Sequence, residues 1–173
     1  MVLIALLPER FRFQETEFYK HFAPNRAKPP AKFVMKIQFS KVQIDEIITH
    51  AREASPQECC GLIGGLIEGK AQTIYRARNV ASDPLTSYEA APEDLFAAQR
   101  AMRERGEQLL AIYHSHPRSA EPQPSATDVR LAYYPSAVYL IVGLGGPEPC
   151  LRAFRIDERE GQWARVEYQI MTS

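Results

Sequence analysis

Cysteine is too scarce in this chain to staple a fold. Its 173 residues carry three, Cys59, Cys60 and Cys150, an odd number with two of them adjacent, and that makes a poor disulfide framework. Neighbours on a strand point to opposite faces, so Cys59 and Cys60 are awkward partners for one metal ion. Half-buried thiols in a reducing compartment are the remaining reading, and a cytoplasmic protein is the expectation. Excess charge is absent too: 21 basic residues balance 21 acidic ones. Such a chain has no general attraction for nucleic acid or an anionic membrane surface, and neither is expected as a partner. No apolar run approaches the roughly 20 residues that span a bilayer. The run Val2–Leu7 has no basic residue before it and is shorter than a secretory core of about 7–15 residues, so export is not expected either.

What is present describes an ordinary globular protein, with 45% apolar and 24% charged residues in a length that suits one domain. Residues 1–33 stand apart. They lack a sustained period and end in the basic, proline-rich stretch Ala23–Pro30, which suits a linker or arm, and regular patterning starts only afterwards. A first strand is expected over Phe33–Phe39. Ser40 opens a helix with Gln43 placed for a capping box, and Ile44, Ile47, Ile48 and Ala51 give it one apolar face up to Ser55-Pro56. Strands follow over Cys59–Ile67 and Ala71–Asn79, joined at Glu68-Gly69. A loop covers Asn79–Ser87, with a short strand expected at Tyr88–Ala90. A second helix runs from Pro92 to Gly106 with Leu95, Ala98 and Met102 inward. Gln108–Tyr113 reads as a central strand buried on both faces. After the proline-rich loop Pro117–Pro124 come a short helix from Ser125 to about Tyr133, a buried strand Ala137–Val142, and a closing pair Cys150–Asp157 and Trp163–Gln169. Asp157, Glu158 and Glu160 read as a hairpin tip. The pattern predicts a single α/β domain, a mixed β-sheet sandwiched by helices.

One constellation carries chemistry. Tyr113-His114-Ser115-His116-Pro117 ends the central strand, and residues i and i+2 of a strand face the same way, so both imidazoles enter one pocket. Asp128, in the first turn of the following helix, can complete a set of three ligands. Two histidines and a carboxylate with a fourth position open describe catalytic zinc, and the donor set favours zinc over magnesium or calcium. Each piece has a plain alternative. An isolated HxH is more often a surface or core pair, and Ser125 with Asp128 is a common helix start. The joint pattern is far less accidental. His21, in the irregular leader, and His50, beside the first helix's apolar stripe, are expected to be structural or solvated.

HSHP followed by PSATD resembles the signature of the JAMM (MPN-plus) metalloproteases, zinc isopeptidases of the ubiquitin-like systems. Ser55-Pro-Gln-Glu-Cys-Cys-Gly-Leu-Ile63 resembles the family's glutamate-bearing strand entry, and Asn79–Leu95 and Tyr133–Val142 resemble its prokaryotic members. The likeness covers roughly residues 35–170 and omits the leader, which divides the chain into an extension (1–33) and a metalloprotease domain (34–173). It implies an MPN-type, cytidine-deaminase-like architecture and one zinc per chain on His114, His116 and Asp128. It further implies Glu58 as catalytic base and Ser125 as a donor to the oxyanion. The resemblance alone assigns Glu58, since a glutamate after Ser-Pro-Gln is otherwise an unremarked turn acid. The loop Pro117–Pro124 is one residue longer than the family's usual seven, an insertion of the kind loops accept.

The implied activity is hydrolysis of a peptide or isopeptide bond at the glycine-rich C-terminal tail of a ubiquitin-like or sulfur-carrier protein. A tail of that kind can add to an exposed strand. A non-catalytic MPN-type scaffold is the alternative, natural if a ligand or the base were missing, and all five positions are filled. A DNA-repair relative is disfavoured by the neutral charge, and a purely structural zinc site by the three-ligand set.

Overall fold

The computed structural model describes residues 36–171. The leader 1–33, His21 and the start of the expected first strand lie outside the described residues.

Strand β1 (Ile37–Ser40) leads into helix α1 (Lys41–Ala54) through the expected capping box. The Gln43 amide N–H donates to Ser40 Oγ at 3.3 Å, and the Ser40 N–H donates to Gln43 Oε1 at 2.9 Å. Each helix start has unpaired N–H groups, and this exchange satisfies two of them. β2 (Cys60–Gly65) and β3 (Ala71–Ala77) form a hairpin, followed by α2 (Pro92–Arg105). Pro92 opens α2 in its first turn and Gly106 closes it at φ 68, the left-handed region that glycine enters without a Cβ penalty. β4 (Gln108–His116) crosses the middle of the molecule, and α3 (Ala126–Arg130), β5 (Val138–Gly143), β6 (Cys150–Asp157), β7 (Gln162–Val166) and β8 (Tyr168–Met171) complete the order.

Six strands make one sheet in the order β3-β2-β4-β5-β6-β7, and β1 pairs with β8 in a separate parallel ribbon. Only β4 and β5 are parallel neighbours in the large sheet. A parallel pair requires a crossover, and here it is segment 117–137, which carries α3. α1 and β1 pack Ile44, Ile47, Phe39 and Ile37 onto one face of the sheet, against Ile63, Tyr113, Leu140 and Val142. The other face is covered by α2 through Leu95, Ala98 and Met102, and by Ala132 and Ala137 of the crossover. This is the mixed sheet between helices that the pattern predicts. A side chain buried on either face contributes about 1.5–3 kcal/mol, and β5 is buried along its whole length on both faces.

Several boundaries differ from the sequence expectation. The central strand does not stop at Tyr113 but stays paired through His114, Ser115 and His116, because β5 continues beside it to Gly143. The closing strand Trp163–Gln169 is two strands. Trp163 meets Phe154 edge-on at 5.2 Å, while Tyr168 meets Phe39 at 5.8 Å. Phe154 and Phe39 belong to cores on opposite faces, and one straight strand cannot serve both. Tyr88–Ala90 forms only an isolated bridge, Ala90 to Asn79. The helix after the proline loop ends at Arg130, with Leu131 as its cap.

The proline loop is seated rather than loose. Ser119 N–H donates to His116 O at 3.0 Å and Gly145 N–H to Ser119 O at 3.0 Å, and Pro122 is fully buried. Gly143 lies directly beneath. A Cβ there would stand 2.4 Å from Ser119 O and 2.8 Å from Pro122 Cδ, closer than atoms pack. Gly143→Ala is therefore expected to cost about 1–3 kcal/mol, the usual penalty of overpacking. Urea denaturation checks it, and an unshifted midpoint would show that the loop is free to lift.

Candidate metal centre

The pairing of β2 with β4 sets the site. Cys60 lies opposite His114, and the ladder runs on past the named strands. Ser115 N–H donates to Cys59 O at 3.1 Å, and Cys59 N–H donates to Ser115 Oγ at 2.9 Å. With Cys59 opposite Ser115, Glu58 falls opposite His116. Alternation then puts Glu58, His114 and His116 on one face and turns Ser115 to the other.

The crossover supplies the third candidate ligand. Ser125 caps α3 and Asp128 occupies its third position, forming a capping box. Asp128 N–H donates to Ser125 Oγ at 3.1 Å, and Ser125 N–H donates to Asp128 Oδ2 at 2.7 Å. The carboxylate is thereby fixed toward the histidines. His114 Nε2 lies 3.3 Å from Asp128 Oδ1, His116 Nε2 lies 3.4 Å from Asp128 Oδ2, and the two Nε2 atoms are 3.1 Å apart. Ligand atoms about 2.0–2.2 Å from a tetrahedral ion stand about 3.3–3.6 Å from each other. The donor set suits a metal ion, and one ligand atom from each of the three residues lies within 4.8 Å of the others, close enough for a small inward shift to complete the geometry. Among the described residues, His114, His116 and Asp128 are the group of three that offers one.

Burial grades across the triad: His114 is fully enclosed, Asp128 nearly so, and the His116 side chain keeps 17% of its exposure. The exposed edge of the triad is therefore at His116. Burial pushes the Asp128 carboxyl up, but His114, His116 and the Ser125 bond outweigh it and hold the group well below the usual carboxylate range. Burial pushes His114 down, and the adjacent Asp128 more than reverses that. Glu58 is 6% exposed, and burial raises its carboxyl above the ordinary value while His114 and His116 partly offset the rise. A carboxylate with a raised pKa is the stronger base.

The loop between β3 and α2 frames the site. Glu58 N–H donates to Pro84 O at 2.8 Å, and the Asn79 side-chain amide donates to Glu58 O at 2.8 Å and to Ser87 O at 3.0 Å. Asn79 Oδ1 accepts from Ala81 and Glu89 N–H, each at 3.0 Å. All four hydrogen-bonding positions of that amide are filled. Tyr88 stacks on His114 with ring centroids 4.4 Å apart and planes at 23°. Ser115, Asn79 and Tyr88 thus join the site although sequence reasoning gave none of them a role. Their partners are brought near only by the fold.

Other expectations resolve plainly. Cys59 packs in the core under α1 and Cys60 in the core under α2. Burial pushes the Cys59 thiol up to about 11 and the Cys60 thiol higher still, so both are poor nucleophiles. His50 bonds through Nδ1 to the Tyr113 hydroxyl at 2.8 Å, a structural contact on the face away from the triad. Asp157 caps its turn by accepting from Arg159 and Glu160 N–H, as a hairpin tip would. No helix among the described residues is long and apolar enough to cross a membrane.

Comparison with known proteins gives the same picture. The family described as prokaryotic homologs of the JAB domain matches residues 40–157. A desampylase of Haloferax volcanii is 39% identical over an alignment of 109 residues that covers 59% of this chain and 76% of the relative. A CysO-cysteine peptidase of Mycobacterium tuberculosis is 32% identical over 65% of this chain and 77% of its own length. A probable TtuB-protein conjugate cleaving protease of Thermus thermophilus is 36% identical over 66% of this chain and 72% of its own. Among solved structures, a Desulfitobacterium hafniense protein superposes with a TM-score of 0.70 at 33% identity, covering 79% of this chain and 94% of that one. A JAB1/MPN domain protein of Archaeoglobus fulgidus shares the fold, with a TM-score of 0.51 at 19% identity over 79% of this chain and 98% of that one. With the match spanning both histidines, Asp128 and Glu58, the chain belongs to the prokaryotic JAB-domain family and is a hydrolase of the JAMM metalloprotease group.

Proposed function

We propose that this protein is a zinc-dependent metallopeptidase. It hydrolyses the peptide or isopeptide bond at the glycine-rich C-terminal tail of a ubiquitin-like or sulfur-carrier protein. The observation that carries the reading is the convergence of His114, His116 and Asp128, whose nearest nitrogen and carboxylate oxygen atoms lie 3.1–3.4 Å apart pair by pair, with the buried Glu58 carboxylate beside them and His116 partly exposed. The names of the relatives, a desampylase, a CysO-cysteine peptidase and a TtuB-conjugate protease, support the substrate class. Residues 34–173 are the peptidase domain in this reading. The cytoplasm is its compartment, where the three free cysteines stay reduced.

One zinc per chain, held by His114, His116 and Asp128, would supply an acidified water and a polarised scissile carbonyl. Glu58 takes a proton on its carboxylate as the water attacks and returns it to the departing amine. Ser125 Oγ already accepts from Asp128 N–H, which leaves its hydroxyl hydrogen to donate to the carbonyl oxygen as negative charge builds there.

Purified full-length protein, assayed for zinc by elemental analysis and offered a carrier extended beyond Gly-Gly, tests the reading by mass of the products. Cleavage after the diglycine supports it. Bound zinc with no cleavage of any tailed carrier would favour the scaffold instead. For Ser125→Ala the expectation is a fall in kcat of about 100- to 1,000-fold with metal retained, the usual loss of one oxyanion donor. The same change removes a helix cap, a stability cost of about 1 kcal/mol that a melting curve reads separately.

A further inference from the structure

The His114 side chain lacks the support that metal-binding histidines ordinarily have. A histidine that binds metal through one ring nitrogen usually donates from the other to a carboxylate or carbonyl, and this fixes both tautomer and ring plane. His114 turns Nε2 to the triad, and its Nδ1 is buried with no hydrogen-bond partner among the described residues. The backbone is held by pairing to Cys60 on one side and Ile141 on the other. Pairing fixes the Cα–Cβ direction but not the last side-chain torsion, which is broad for an aromatic ring. Something else must hold the plane of the imidazole.

The geometry points to Tyr88, and we propose that it is the positioning residue for His114, replacing the missing hydrogen bond with a stacked face. Its ring lies over the imidazole at 4.4 Å and 23°. Offset stacks of this kind contribute about 0.5–1.5 kcal/mol beyond area burial. Tyr88 is itself held tightly. The residues on either side of it, Ser87 and Glu89, both bond to the Asn79 side chain at 3.0 Å. Val80 N–H donates to Glu89 O at 2.7 Å, closing the base of the loop. Tyr88 also packs against the core under α2, which includes Cys60, Leu62 and Leu95. Since the same Asn79 amide holds the Glu58 carbonyl, one loop sets the plane of a metal ligand and the place of the base.

This inference rests on the triad being a metal site, and the experiment keeps the two apart. Zinc affinity of full-length wild type, Tyr88→Phe and Tyr88→Ala is measured by competition with a chromophoric chelator, and the cobalt-loaded forms are compared by their visible spectra. Tyr88→Phe keeps the flat face and is expected to bind within about threefold of wild type. Tyr88→Ala is expected to bind about 10- to 100-fold more weakly, the range seen when outer partners of a metal ligand are removed, with altered cobalt bands. If Tyr88→Ala does not fold, Tyr88→Leu replaces it, keeping bulk against the core under α2 without a flat face. Equal affinity in wild type and the Ala or Leu variant overturns the proposal, as does an equal loss in Tyr88→Phe. A wild type that binds no zinc overturns the metal reading itself.

Discussion

Glu58→Gln is expected to lower turnover of a tailed carrier by about 100- to 10,000-fold, the span of general acid–base catalysis, while one metal ion stays bound. The separation of the two effects follows from how Glu58 is held. Its N–H bonds to Pro84 O, its carbonyl to Asn79, and the next residue to Ser115. None of these bonds uses the carboxylate, so glutamine occupies the same place without a proton acceptor of comparable strength. The triad is built on β4 and α3, outside the segment that changes. Stopped assays with the product identified by mass, run beside zinc analysis, make the comparison. Activity within threefold of wild type would remove Glu58 from the proton transfer.

Asp128→Asn is expected to lose metal and activity together, with zinc affinity down by more than the roughly 10- to 100-fold typical of outer partners. The substitution is conservative for folding because an amide oxygen can still accept from Ser125 N–H and keep the cap of α3. It is not conservative for the site. The ionised carboxylate is the negative charge that both imidazoles face, at 3.3 and 3.4 Å. Its ionisation is favoured strongly enough to overcome burial, and an amide offers a metal no such charge. Elemental analysis after dialysis against a weak chelator reads the loss, and circular dichroism establishes that the fold is kept. Full zinc occupancy in this variant would take Asp128 out of the ligand set.

The two predictions draw on different kinds of information. His114 and His116 follow from strand alternation alone, since any strand ending in HxH aims both imidazoles one way. The Ser125–Asp128 capping box is equally local, and its hydrogen bonds are those the spacing implies. α1 with its Ser40–Gln43 box and α2 between Pro92 and Gly106 follow from the same short-range rules. Glu58 belongs to the other kind. Nothing within several residues of it signals a base, and only resemblance to a family points there. Its place opposite His116 is decided by a β-ladder between segments more than 50 residues apart.

Local geometry is legible in the chain alone: which residues cap, which alternate, and which two histidines share a face. Those features depend on contacts within a few residues, where steric and hydrogen-bonding preferences act directly on neighbours in the chain. Long-range packing sets what those features meet. It carried β4 past Tyr113 to His116, split the closing strand so that Tyr168 could reach Phe39, and seated the longer proline loop on Gly143. It also placed Tyr88 over His114 and hung Glu58 from Asn79. Such pairings arise when packing two faces of one sheet fixes register, and register is a property of the whole core rather than of any short stretch of chain.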